Sequence, residues 1–146
     1  MNTTHERAGK TDAFSLSLNY NAQPFDSSFM PTPVNFAIVI ESDTSLARAY
    51  EFAQAAVAAG HQIHRVFLYH DAVRLVDPSF ESTALIDTFI KFSYEHSFEL
   101  AACVSAAERR GIAAVNGVAR DGITVVGLGQ FADCLLQADR TVTFRA

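Results

Sequence analysis

The sequence is poor in cysteine, holding only Cys103 and Cys134 and no CxxC pair. That scarcity excludes a zinc ribbon, a thioredoxin motif and a secreted disulfide framework, and leaves free thiols in a reducing compartment as the simplest expectation. Concentrated basic charge is also missing. The 11 Lys and Arg are scattered apart from the Arg109-Arg110 pair and are outnumbered by 16 Asp and Glu. Such a distribution is not the footprint of a nucleic-acid binder. Long apolar runs are absent too: the stretch from Phe36 to Ile40 is far too short to span a bilayer, and no basic region followed by an apolar core opens the chain. A cytoplasmic protein that grips neither membrane nor nucleic acid directly is therefore expected. No internal repeat or low-complexity block interrupts the sequence.

What is present suffices for one hydrophobic core, because 49% of the 146 residues are hydrophobic. Residues 1–32 stand apart: they are polar and turn-rich, with Pro24 and Pro31 followed by Pro33, and only the Phe14 to Leu18 alternation hints at a strand. A mobile tail is the expectation for them, with the domain proper spanning 33–146. Met30 sits directly before the first strong strand signal and offers an alternative translation start, which the intact mass of the natively expressed protein would test.

From Val34 to Ile40 the run VNFAIVI is apolar nearly throughout, as in a strand covered on both faces. Ser42, Asp43, Thr44 and Ser45 offer N-caps, Leu46, Tyr50, Ala53 and Val57 recur at helical spacing, and Gly60 supplies a stop. Gln62 to Tyr69 reads as a second strand, completing a βαβ unit. A polar loop with Asp77-Pro78 leads to a helix over 82–96, whose face carries Leu85, Ile86, Phe89, Ile90 and Phe92. Phe98 to Ala102 is a short apolar strand running into Cys103, and Val104 to Arg110 is helical with Gly111 as its cap. A loop near Asn116-Gly117, a strand 123–126, a helix 130–137 and a strand 141–144 follow. Alternation of this kind implies an α/β fold, a three-layer α/β/α domain around a mostly parallel sheet of about five strands.

Cys103 carries the sharpest chemical signal. Open parallel sheets react at the carboxyl ends of their strands, where a following helix presents free N–H groups, and a thiol there is biased toward the nucleophilic thiolate that can hold sulfur as a persulfide. Ser105 and Glu108 form an S-x-x-E capping box that would start the helix just beyond the thiol. The same position also suits a small buried core residue. Cys134 shares one helix face with Phe131, Leu135 and Ala138 and reads as core. Gly127, Gly129 and Ala132 match G-x-G-x-x-A, but the chain given ends too soon for the acidic strand a dinucleotide site needs, so the glycines are read as a tight turn that lets helix and strand pack closely. His61 and His64 point to opposite faces if both lie in the second strand, which argues against a metal pair. His70 and Asp71 share the sheet edge with Cys103 and read as exposed loop residues, and Arg109 and Arg110 complement the dipole at the far end of a short helix.

The stretch AACVSAAERRGI resembles the region of the TusD/DsrE sulfurtransferase family in which a reactive cysteine precedes a short helix ending in Arg-Arg-Gly. NFAIVI, YEFAQAAVAAGHQIHRVFLYHDAV and GLGQFADCLLQADRTVTF follow the family order, so the resemblance covers most of residues 34–144. It implies a sulfurtransferase subunit in which Cys103 accepts persulfide sulfur and relays it, with no metal or organic cofactor. The implied partners are TusB/TusC-like subunits in a hetero-oligomer, a TusA-like donor and a TusE-like acceptor, in tRNA 2-thiouridine synthesis. A DsrEFH-type sulfur-oxidation subunit and a non-catalytic assembly subunit are the alternatives. The chain departs from the family pattern in the glycine-free ESDTSLARAY after the first strand, in Ala101 where Asn is frequent, and in a shortened segment between Gly111 and Gly122.

Overall fold

A computed structural model describes residues 31–80, 83–112 and 119–146. All but the last two residues of the expected tail over 1–32, the Phe14 to Leu18 strand hint, Met30 and the loop near Asn116-Gly117 lie outside the described residues. In chain order the elements are β1 (Asn35–Ile40), α1 (Leu46–Ala58), β2 (Gln62–Leu68), α2 (Thr83–Glu95), β3 (Glu99–Cys103), α3 (Val104–Arg109), β4 (Ile123–Val126), α4 (Leu128–Gln137) and β5 (Arg140–Phe144). The strands form one five-stranded sheet in the order β4-β3-β2-β1-β5, and every described pairing is parallel.

That order explains the layers. Successive crossovers from β1 to β2 to β3 step the same way across the sheet, whereas the crossover through α4 steps back past β1 to reach β5. With right-handed connections the two directions put their helices on opposite faces. Aromatic contacts bear this out. Tyr50 of α1 meets Phe89 and Phe92 of α2 with ring centroids 5.1 and 5.6 Å apart, while Phe131 of α4 stacks on Phe67 of β2 at 4.3 Å. Strand side chains alternate between the faces. Ile38, Ile40, Val66, Leu68, Leu100 and Ala102 therefore belong to the α1/α2 face, and Ala37, Val39, Phe67, Ala101 and Cys103 to the α4 face. All of these are buried, which is why the strands read as continuous apolar runs.

The stretch expected as a polar loop after β2 is instead a 3-10 helix, His70–Val76. Its Ala72, Val73, Leu75 and Val76 are fully buried, an apolar spacing hidden in the sequence by the intervening His, Asp and Arg. The N–H groups of Asp71 and Ala72 donate to the Glu41 carbonyl (3.0 and 3.3 Å), tying the turn to the end of β1. Its other end is held by Arg120, which is buried and donates from Nε to the Leu75 carbonyl (2.9 Å), from Nη2 to the Asp77 carbonyl (3.1 Å) and from Nη1 to Asp87 Oδ1 (3.0 Å). These bonds join the 3-10 helix to α2 and to the chain entering β4. Gly122 follows with φ of 89°, and a Cβ built there would overlap the Ile90 side chain, so only glycine fits.

Candidate functional site around Cys103

β3 hands directly to α3 at Cys103. The residue is the last of the strand and the N-cap of the six-residue helix, with extended φ and ψ of −72° and 117°. The strand-to-helix junction expected from sequence is therefore present. The capping box is not, because α3 starts at Val104, which leaves Ser105 inside the helix, and no side chain caps that end. At the other end Gly111 takes φ of 62° and lets the chain turn away, as expected of a helix stop.

Register sets the surroundings of the thiol. Cys103 pairs with Val126 of β4 on one side, and extending the Leu68 to Ala102 pairing by one residue brings Tyr69 alongside it on the other. Tyr69 stacks in turn with Phe131 (5.9 Å between centroids). Cys103 thus lies on the α4 face, between Tyr69 and Val126, with 0% of its surface exposed. Two surface clefts, of about 430 and 300 Å³, open at the amino ends of the strands and are not lined by Cys103.

The other residues weighed from sequence divide clearly. Arg110 is a strut: its Nε and Nη2 both donate to Asp71 Oδ1 (3.0 and 2.9 Å) and its Nη1 donates to the Ala106 carbonyl (3.3 Å), bracing α3 against the 3-10 helix. The hydrogen bond from Arg110 holds the Asp71 carboxyl below the usual aspartate range. His70 is exposed beside Tyr69 and has a positive φ of 47°. Cys134 is 2% exposed, as expected for a core residue, and burial pushes its thiol pKa up. His61 precedes β2, and its Nδ1 accepts from the Val34 N–H (3.2 Å), while His64 sits where the β1–β2 register shifts. Among the described residues no group of three or more His, Cys, Asp or Glu is arranged to hold a metal, and no helix is long and apolar enough to cross a membrane.

The reading of the G-x-G-x-x-A glycines needs correcting. Gly127 is the N-cap of α4 at φ of −80°, Gly129 lies within the helix, and a Cβ on either would meet nothing within 4 Å. Neither glycine is demanded by a tight turn or by close packing. Sequence reasoning missed Arg120 altogether, and the only available signal was a lone arginine in an apolar context before Gly122.

A profile of the DsrE/DsrF-like family matches residues 35–144, a span that contains the whole sheet and Cys103. The chain belongs to that family. It is 36% identical over 109 residues to a protein named as a DsrE sulfurtransferase of Allochromatium vinosum, an alignment covering 66% of this chain and 84% of that one. With sulfurtransferase TusD of Serratia proteamaculans it shares 34% identity, again over 66% of this chain and 84% of the relative. TusD of Photorhabdus laumondii is 31% identical over 66% and 83%. Among solved structures, the YchN protein of E. coli superposes with a TM-score of 0.61 at 20% identity, covering 77% of this chain and 100% of that one. A protein of unknown function from Methanobacterium thermoautotrophicum gives a TM-score of 0.61 at 13% identity, covering 75% and 98%. These two likenesses bear on the fold, and the three-layer α/β/α architecture is that of the DsrE-like structures. All three named relatives are called sulfurtransferases.

Proposed function

We propose that the subunit carries sulfur on Cys103 as a persulfide. The Cys103 thiolate attacks the outer sulfur of a donor persulfide, forming a new S–S bond while the donor's own S–S bond breaks and its cysteine leaves as thiolate. An acceptor thiolate then attacks that outer sulfur, and Cys103 departs as thiolate. No net oxidation occurs and no cofactor is consumed. The supporting observation is that Cys103 ends β3 at the carboxyl edge of the parallel sheet, immediately before a helix, within the span that matches the family. TusA-like donor, TusB/TusC-like neighbours and TusE-like acceptor in the cytoplasm are the proposed partners, with tRNA 2-thiouridine synthesis as the pathway. Residues 33–146 are the proposed sulfur-handling unit, with 1–32 as a tail.

The test is to treat the reduced protein with a persulfide donor and map the adduct of about 32 Da by mass spectrometry. An adduct on Cys103 that is lost in Cys103→Ser and can be handed to an acceptor thiol is expected. An adduct on Cys134 alone, or none while a control carrier is loaded, would sink the reading.

The complete burial of Cys103 favours a second reading, a non-catalytic assembly subunit with a silent cysteine. Under it, blocking Cys103 leaves sulfur transfer by the assembled complex unchanged. A DsrEFH-type role in sulfur oxidation is favoured by the 36% identical relative named DsrE. Genome context, whether the gene lies among those for tRNA thiolation or among those for sulfur oxidation, separates the pathways.

A further inference from the structure

The relay reading creates a steric difficulty: a thiol with 0% exposure has to meet the sulfur of another protein. We infer that α4 is the gate to Cys103, a hinged helix that opens as a unit and uncovers both buried cysteines together. This inference rests on the relay reading for its purpose, although the opening itself is independent of sulfur chemistry.

Three observations converge on α4. First, both thiols lie on the face of the sheet that α4 packs against. Cys103 is on the α4 face beside Val126, one residue before the Gly127 cap of that helix. Cys134 is the buried residue of α4 itself, within the electrostatic reach of Arg65 and Glu99, which pair in the register of the same face. Secondly, the helix is thinly anchored. Of its ten residues only Cys134 is buried, Phe131 and Leu135 are partly covered, and Leu128 and Leu136 are 50% and 83% exposed. An element with so little buried apolar area is a natural low-stability opening unit. Its principal aromatic anchor is the stack of Phe131 on Phe67 and Tyr69 (4.3 and 5.9 Å), and Tyr69 is the neighbour of Cys103. Thirdly, Gly127 and Gly129 flank the start of α4 although neither a positive φ at Gly127 nor a lack of space demands glycine at either site. What glycine supplies there is backbone freedom at the base of the helix.

By contrast, the elements on the other side of the thiol are fastened. Arg110 bonds α3 to Asp71, and Arg120 bonds the 3-10 helix to α2 and to the chain before β4. Opening there would break several charged hydrogen bonds, whereas lifting α4 separates mainly one aromatic stack.

The decisive experiment follows iodoacetamide alkylation of the full native chain at fixed pH, with the rates at Cys103 and Cys134 resolved by peptide mass spectrometry across sub-denaturing urea. Opening of α4 as a unit predicts that both rates respond to urea with one shared slope, shallower than that of global unfolding measured by circular dichroism. Phe131→Ala is expected to accelerate both sites by a common factor of about tenfold or more. If that variant does not fold, the wild-type slopes decide alone. Reaction at Cys103 while Cys134 stays protected would overturn the inference and direct access to the α3 edge. Reaction of both with the global unfolding slope would overturn it too. Because no persulfide is used, a gate that opens as described but a Cys103 that never accepts sulfur would defeat the functional proposal and leave this one standing.

Discussion

Arg120 joins the 3-10 helix, α2 and the chain entering β4 through one buried guanidinium. Its guanidinium satisfies the Leu75 and Asp77 carbonyls and pairs with Asp87, so Arg120→Met removes the donors and leaves carbonyls at the inner end of the 3-10 helix without partners. A loss of about 3 kcal/mol is expected in urea unfolding, and a change near zero would mean that water replaces the guanidinium there. Gly122→Ala should be comparably damaging, about 3 kcal/mol, since it combines a φ of 89° with overlap on Ile90. Pairing it with Ile90→Ala tests the cause: the second change relieves the overlap, so the double variant should lose less than the two single losses added together. Asp71 contributes through charge. Its folded pKa is depressed by the Arg110 hydrogen bond, so its contribution is present above the ordinary aspartate pKa, at neutral pH, and is lost as pH falls below about 4 toward the lowered value. In Asp71→Asn that acid-dependent component should vanish from the stability profile, and a profile identical to wild type would show the pair to be energetically idle.

At the scale of elements, the two cysteines differ because their supports differ. Cys103 belongs to β3 and is fixed by the ladder to β2 and β4, whereas Cys134 rides on α4 and is held by side-chain packing alone. Burial raises the Cys134 pKa, so its protonated form is favoured by folding. The sign follows: this contribution is intact below the ordinary thiol pKa of about 8.5 and is lost as pH rises through the elevated folded value. Stability should therefore decline above about pH 8.5 in wild type and decline less in Cys134→Ala, measured as the unfolding midpoint across that range. The 3-10 helix shows where element prediction from sequence fails. His70, Asp71 and Arg74 broke the apolar pattern and made the segment look like a solvated loop, yet Ala72, Val73, Leu75 and Val76 are buried, in a seven-residue 3-10 run that helical periodicity does not detect.

For the whole molecule, the span matched by the family profile and the described sheet coincide, so a chain beginning at Pro33 should fold alone with an unfolding midpoint close to that of the full chain. A large loss of stability on truncation would show that residues 1–32 contribute to the fold. The long apolar runs of β1 and β2, the helical spacing of α1 and α2, the Gly111 stop and the cysteine at a strand end were all legible in the sequence, because each is a local pattern of hydrophobicity or backbone preference spread over a few adjacent residues. The order β4-β3-β2-β1-β5 was not, since pairing between strands far apart in sequence leaves no mark in either strand alone. With it went the face to which Cys103 points: alternation fixes that face only relative to its neighbours, and α4 covers it only because the chain turns back past β1 to form β5. The sequence by itself determined the strands, the α-helices and the class of fold, and it singled out Cys103 as the candidate for sulfur chemistry. The tertiary structure alone decided that Cys103 is buried, on which face of the sheet it lies, and that Arg120 holds the far end of the 3-10 helix, because burial is a sum over contacts that only long-range packing brings together.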